Sequence, residues 1–151
     1  MRLIVMGLMI AALAACQQAK QDRRPPVEVK GPVDPKSAEA AGQVVQTFAA
    51  LIDQGRWTEA EALFGDPAAA AKALAPLRST WEVHLEIGNL SKPKVAAGST
   101  YISMPIFFFG KRVDKVAFRD PATVVLRRVN DVPGSTEEQR RWHIDRIELD
   151  S

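Results

Sequence analysis

Apolar residues recur at every third or fourth position between residues 37 and 55, a spacing typical of a helix that buries one face. The pattern predicts a helix that starts at residues 34–35 or at Ser37 and ends at Gly55, where glycine favours a left-handed C-terminal cap. The apolar face is expected to contact the core through Ala41, Val44, Val45, Phe48, Leu51 and Ile52.

Two further helix starts follow within the next 12 residues. Thr58 and Glu61 have the spacing of a capping box, so a second helix is predicted with Thr58 at its N-cap. Asp66 precedes Pro67 as a capping carboxylate precedes a first-turn proline, which predicts a third helix. An alanine-rich run continues this helix to Pro76.

The pattern changes to a two-residue period beyond residue 80, which is typical of strands. In residues 81–87 the odd-numbered positions are apolar, so a strand is expected whose core face includes Trp81. Residues 101–109 are apolar at both parities, which places that strand centrally, with a turn at 110–111. Further strands are predicted at 113–118 and 123–129, separated by the sequence RDPA, and at 141–149 after a polar loop.

The first 16 residues differ from the rest. A basic start at Arg2, a continuous apolar run and small residues up to position 15 are typical of a secretory signal peptide. The run is shorter than the roughly 20 residues that span a bilayer. Because Cys16 follows directly, the segment resembles the bacterial lipoprotein lipobox. The resemblance implies cleavage before Cys16 and a diacylglyceryl group on its thiol; the alternative is a buried helix in which Cys16 packs.

The lipobox resemblance also implies a location. The lipid on Cys16 would anchor the chain to a membrane of the bacterial cell envelope. Gln17 replaces the aspartate that retains lipoproteins in the inner membrane of enterobacteria, which favours the outer membrane, facing the periplasm. Residues 16–36 contain four prolines and no aromatic residue, which predicts an extended tether. Residues 37–150 are then expected to fold as one domain.

Helices followed by a series of antiparallel strands predict an α+β fold, with N-terminal helices packed in a curled antiparallel sheet. The sequence QVVQTFAALIDQGRWTEAEALF resembles the opening helices of the nuclear transport factor two-like, or cystatin-like, cone, and ATVVLRRVN and RWHIDRIEL resemble its last hairpin. The resemblance covers roughly residues 37–150. It implies a domain that binds a ligand or partner, although some members of this superfamily are isomerases or dehydratases.

Composition excludes several classes of site. The 151 residues carry 20 Lys and Arg against 18 Asp and Glu, and a formal charge of +2 does not favour nucleic acid as a partner. A single cysteine cannot form a disulfide within the chain. Neither His84 nor His143 has a second histidine at metal-ligand spacing, so neither a metal nor a cofactor other than the lipid is expected.

Four residues are candidates for catalysis inside the cone. His84 lies between two glutamates on one strand face, which would raise its proton affinity and suit a general base. His143 and Asp145 share a face of the last strand, as a base and its orienting carboxylate would. Tyr101 is the only tyrosine but lies on a strand rather than on the first helix, where isomerases of the superfamily commonly place theirs. The alternative for both histidines is a solvated or salt-bridged strand face.

The sequence therefore favours a non-enzymatic envelope lipoprotein that binds a small ligand or an envelope protein. An isomerase- or dehydratase-like enzyme is the alternative, and a structural assembly subunit is the third. Phe107, Phe108 and Phe109 must point to both faces of their strand, so the face away from the core is expected either to pack on a second copy as a homodimer or to lie under a terminal segment.

Overall fold

The computed structural model describes residues 33–150. In this range, three helices pack against an open antiparallel sheet of five strands, which confirms the predicted α+β class. The predicted signal peptide at 1–15, the lipidation site at Cys16 and the tether up to residue 32 lie outside the described residues. Within the part that is described, no helix is long and apolar enough to cross a membrane.

The helices follow the predicted order. Helix α1 (Ala38–Asp53) begins after Ser37, whose hydroxyl oxygen accepts a hydrogen bond from the Ala40 amide at 3.1 Å. Helix α2 (Trp57–Glu61) is a single short turn, and α3 (Pro67–Arg78) is the last helix. Since an N-cap hydroxyl satisfies an amide that has no partner within the helix, Ser37 is the start signal that the structure uses.

The capping prediction was correct for α3 and wrong for α2. Asp66 accepts a hydrogen bond from the Ala68 amide at 2.9 Å, as a capping carboxylate should. Thr58 is not an N-cap: Arg56 takes that position and no side chain caps the helix. The guanidinium of Arg56 instead binds Glu59, a carboxylate of the first helical turn. Pro76 lies inside α3, which continues two residues further than predicted.

The sheet contains β1 (Glu82–Ile87), β2 (Lys94–Ala96), β3 (Ser99–Lys111), β4 (Ala117–Val129) and β5 (His143–Leu149). Its order is β1-β3-β4-β5, and β2 also pairs with β3. The central position predicted for β3 is confirmed, because β1 and β2 flank it on one side and β4 on the other. The three-residue β2 was not predicted, since all of its residues are exposed and leave no apolar pattern.

Strand β4 is continuous where two strands were predicted. Pro121 lies within it and lacks the amide that a strand normally donates. The Pro121 carbonyl accepts from the Asp150 amide at 3.1 Å, so this residue directs its backbone polar groups away from β3 and toward the end of β5. The missing amide of Pro121 therefore does not interrupt the hydrogen bonds between β4 and β3. Residues 113–116 form the turn instead of a strand.

Apolar side chains fill the space between the helices and the sheet. From α1, Phe48 packs edge-on against Phe64 with ring centroids 5.9 Å apart. Among residues 33–150 the buried side chains are hydrophobic apart from Ser99 and Thr100, and Gly42 is buried in α1. Alternate positions of β3 face this core, in agreement with the period of a strand: they are Ile102, Met104, Ile106 and Phe108.

The opposite face of the sheet is partly covered by charged side chains. Phe107 lies under the guanidinium of Arg119, 3.5 Å from the ring centroid, and Phe109 keeps 37% of its surface exposed. A homodimer through this face stays a prediction.

Trp81 was expected in the core but precedes β1 and is 64% exposed, and Lys115 rather than a helix covers its ring.

Candidate functional site

A cleft of about 390 Å³ opens where the connection between α2 and α3 meets the adjoining ends of β4 and β5. Small and apolar residues such as Ala62 and Phe64 line one side. The remaining wall is unusually rich in ionisable groups for so small a space, and these are Asp66, Arg127, Arg128, Glu138, His143 and Asp145.

Backbone hydrogen bonds hold the two sides of the cleft together. The Gly65 amide donates to the Ile144 carbonyl at 3.0 Å, and the Ile144 amide donates to the Leu63 carbonyl at 2.9 Å. Ile144 is fully buried, so the strand is anchored by its side chain as well. This short parallel bridge joins the connection between α2 and α3 to β5, so that side of the cleft is fixed to the sheet.

A β-bulge places the acidic residue of β5 beside the cleft. Leu126 pairs with Ile144 and Val125 pairs with Arg146, so Asp145 is the extra residue between them. A bulge reorients side chains and often lies next to a functional site. As a result, His143 and Asp145 both line the cleft on either side of the buried Ile144.

The structure brings His143 and Asp145 to one cleft but gives them different partners. The Nε2 atom of His143 lies 3.0 Å from Glu138 Oε1, and Nδ1 lies 3.1 Å from the Arg141 carbonyl. Asp145 instead accepts from Arg146 at 2.6 Å. Glu138 thus takes the orienting position that the sequence suggested for Asp145. It lies in the loop before β5, where no periodic pattern indicated which way its side chain points.

His84 lies elsewhere, between the end of α1 and β1. Its Nδ1 atom is 2.9 Å from Asp53 Oδ1 and its Nε2 atom is 3.0 Å from Glu82 Oε1, while its ring lies 5.3 Å from that of Phe109. The hydrogen bonds to Glu82 and Asp53 raise the pKa of His84. Hydrogen bonding to His84, with the charge of Lys111, lowers the pKa of Glu82.

This environment suits a charged histidine that joins two elements. An imidazolium donates from both ring nitrogens, and both nitrogens of His84 face carboxylates. A general base needs one nitrogen free to accept a proton, so the geometry favours a structural ion pair. The expected neighbour Glu86 is not involved, because it binds Arg119 at 2.9 Å.

Tyr101 does not reach the interior. It occupies the parity of β3 that faces away from the helices, and the guanidinium of Arg127 lies 5.9 Å from its ring centroid. Arg127 also donates to the Ser99 hydroxyl at 3.1 Å. The four sequence candidates therefore divide among three places: the cleft, the α1–β1 contact and the outer sheet face.

Arg128 is a site residue that sequence reasoning missed. It lines the cleft and its guanidinium carbon lies 5.7 Å from the Trp142 ring centroid. Its Nε and Nη1 atoms are buried without a hydrogen-bond acceptor, and so is Nε1 of Trp142. The two-residue spacing from Val124 through Leu126 could have indicated that Arg128 points to the helix side of the sheet.

Comparison with known proteins gives fold similarity alone. No family model matches the chain, and no curated protein matches it. The similar solved structures include Aln2 from a Streptomyces species (TM-score 0.47, 11% identity, 78% of this chain and 93% of that chain). They also include a protein from Catenulispora acidiphila (0.44, 12%, 72% and 86%) and a Catenulispora acidiphila protein in complex with S-DNPA (0.43, 13%, 72% and 87%). At these TM-scores and identities the similarity says nothing about activity or ligand.

Proposed function

We propose that this protein is a non-enzymatic, lipid-anchored envelope protein whose domain binds a small ligand or an envelope partner through the cleft at the end of β4 and β5. The observation that carries the binding role is the distribution of polarity. The space between helices and sheet is filled by apolar side chains, whereas six ionisable side chains line an open cleft of about 390 Å³. Ligand sites are typically concave, with a few convergent polar groups.

The same distribution disfavours an isomerase- or dehydratase-like reaction inside the cone. Such chemistry needs a carboxylate base and a neutral donor within a dry interior. Ser99 and Thr100 are the buried polar residues among those described, and neither titrates in the physiological range. Of the two histidines predicted as bases, His143 lines the cleft, and Glu138 already occupies its Nε2 atom. The carboxylates beside it line an open cleft and not a dry interior.

Binding can be tested by adding small fragments of different charge to isotope-labelled protein. Ligands in the cleft should shift the amide resonances of Gly65 and Gln139. Ala62 lines the cleft and is exposed, so Ala62→Trp should fill the opening and abolish these shifts. Ala71→Trp adds the same side chain to an exposed position of α3 outside the cleft and should leave them unchanged. The proposal fails if no fragment binds at the cleft, or if Ala62→Trp leaves binding intact.

The lipid anchor rests on the sequence resemblance at Cys16 and has its own test. Mass spectrometry of the membrane fraction should detect chains that begin at Cys16 and carry the added mass of acyl groups. Cys16→Ser should remove that mass and leave the protein unprocessed or out of the lipid-bearing fraction. An unmodified wild-type chain that retains Met1 in the cytoplasm would contradict the proposal.

A further inference from the structure

A cluster of positive charges includes Arg128 of the cleft wall and shares the acidic partner Asp131. Lys36 Nζ binds Asp131 Oδ2, and Arg140 Nε lies 3.9 Å from Asp131 Oδ1. Lys36 lowers the pKa of Asp131 most strongly, mainly by its hydrogen bond, and the charges of Arg140 and Arg128 add to the effect. We call Lys36, Arg128 and Arg140 the basic cluster. Three cations that act on one carboxylate leave an excess of positive charge at this point.

Arg128 and Arg140 keep donors that the protein does not satisfy. Nε and Nη1 of Arg128 and Nε of Arg140 are buried without an acceptor, although Arg140 also donates to the Ser135 carbonyl at 2.7 Å. Leaving a buried donor unpaired is costly, more so when it is charged. Nε1 of Trp142, beside Arg128, is also buried without an acceptor. Three side chains in this region therefore carry donors that no acceptor among residues 33–150 satisfies.

The carboxylates of the cleft do not supply those acceptors. Asp66 Oδ1 caps α3, Glu138 binds His143 and Asp145 binds Arg146. The acidic groups that line the cleft therefore already have protein partners, whereas Arg128 has no hydrogen-bonded or ion-paired partner among residues 33–150. Acidic and basic residues alternate around the wall of the cleft, but the groups without partners are donors, and donors suit an anion.

We propose that the basic cluster binds an anionic group of the ligand, a phosphate or a carboxylate, with Arg128 as its principal contact and the rest of the ligand in the cleft. This inference rests on the proposed binding role of the cleft and names the chemical class of its ligand. A guanidinium presents several donors in a plane that suits either anion. Binding draws the guanidinium of Arg128 from the Trp142 ring toward the cleft, so indole fluorescence reports it.

The test titrates the full chain, purified in detergent, with inorganic phosphate or with acetate against sodium chloride of equal ionic strength. Tryptophan fluorescence and thermal unfolding are recorded together, because a ligand that binds the folded state raises the unfolding temperature. Arg128→Gln removes the charge at the site. Arg112→Gln is the matched control: it removes the same charge at the β3–β4 turn, where Arg112 binds Asp120.

Phosphate, acetate or both should give a saturable change that chloride does not, and the more effective anion identifies the group. Arg128→Gln should weaken binding by about tenfold or more, since it removes charge-assisted hydrogen bonds. Arg112→Gln should stay within about twofold, as expected for an exposed ion pair. If Arg128→Gln does not fold, Arg140→Gln replaces it and should also weaken binding.

Two results would overturn the inference. In one, neither anion differs from chloride; in the other, the folded Arg128→Gln protein, or Arg140→Gln where it replaces that variant, binds as the wild type does. Failure of this inference is distinguishable from failure of the proposed function. If neutral or cationic fragments occupy the cleft and are blocked by Ala62→Trp while anions have no effect, the cleft binds ligands and only the assignment of anionic chemistry is wrong.

Discussion

Replacing Gly110 with alanine is expected to separate β1 from β3. Gly110 pairs with Val83 across the two strands and has a φ of +150°, a conformation that residues with a Cβ rarely adopt. A Cβ atom at this position would lie 2.1 Å from the Glu82 carbonyl oxygen, and real Cβ atoms essentially never approach closer than 3.0 Å. The two backbones would therefore have to move apart by about 0.9 Å.

Two costs add at Gly110. The backbone conformation costs an L-residue about 1–3 kcal/mol, and forcing extra volume into a packed site costs a further ~1–3 kcal/mol. We expect Gly110→Ala to lower the free energy of unfolding by about 2–6 kcal/mol, a large part of the ~5–15 kcal/mol typical of a domain. The loss should be concentrated at β1, because the obstructing atom belongs to its first residue, Glu82.

Gly98→Ala is the matched control. Gly98 also has positive φ, +72°, but no atom lies within 4 Å of the added Cβ. It should cost only about 1–2 kcal/mol, the penalty of the left-handed conformation. Urea unfolding followed by circular dichroism measures both variants, and hydrogen exchange at the His84 amide, which lies in the hydrogen-bonded pair with Phe109, locates the change. If Gly110→Ala is no more destabilising than Gly98→Ala, the steric argument is wrong.

Three further predictions concern capping, pH and the cleft. Asp66→Ala should lower the free energy of unfolding, measured in urea, by about 1 kcal/mol because the α3 cap is lost. Asp66→Asn should retain most of the stabilisation from this cap. Because the pKa of His84 is raised in the folded state, its ion pairs with Asp53 and Glu82 should stabilise fully below about pH 6.5 and lose this effect as pH rises through the folded pKa. Because the His84 side chain is 36% exposed, this stabilisation should stay within about 1 kcal/mol. The free energies of unfolding of the wild type and of His84→Gln should converge at alkaline pH. A difference that stays constant with pH would rule out titration of His84 as its cause. Arg128→Met should raise the free energy of unfolding by about 1 kcal/mol, because it removes unpaired buried donors; a clear loss of stability would show that Arg128 is already satisfied.

The helices and the central strand could be predicted because their signals are local. Ser37 and Asp66 each bind an amide two or three residues away, so a short stretch of sequence contains the whole interaction. The placement of β3 at the centre of the sheet followed from apolar residues at both parities. The prediction divided β4 at Pro121. A strand tolerates proline where no neighbouring strand needs its amide, and the sequence does not show that the backbone of Pro121 faces the end of β5.

The four candidate residues lie on strands, as their spacing predicted, but their partners differ from those expected. His143 shares the cleft with Asp145, yet it binds Glu138 from a loop without regular spacing. The β-bulge that places Asp145 beside the cleft changes the register by one residue, and no residue type in β5 indicates it. Tyr101 is on the predicted strand, but faces away from the helices.

Periodicity, capping residues and turn residues specify the elements of this protein and their order, because each depends on the backbone geometry of a few consecutive residues. The basic cluster is different in kind. Lys36 and Asp131 are 95 residues apart, and they meet because the segment before α1 lies beside the loop that follows β4. Which charges become neighbours, and which donors are left without acceptors, depends on how α1, β4 and β5 pack together. Those distances arise from long-range packing, so the cleft and its unpaired Arg128 become visible only in the folded chain.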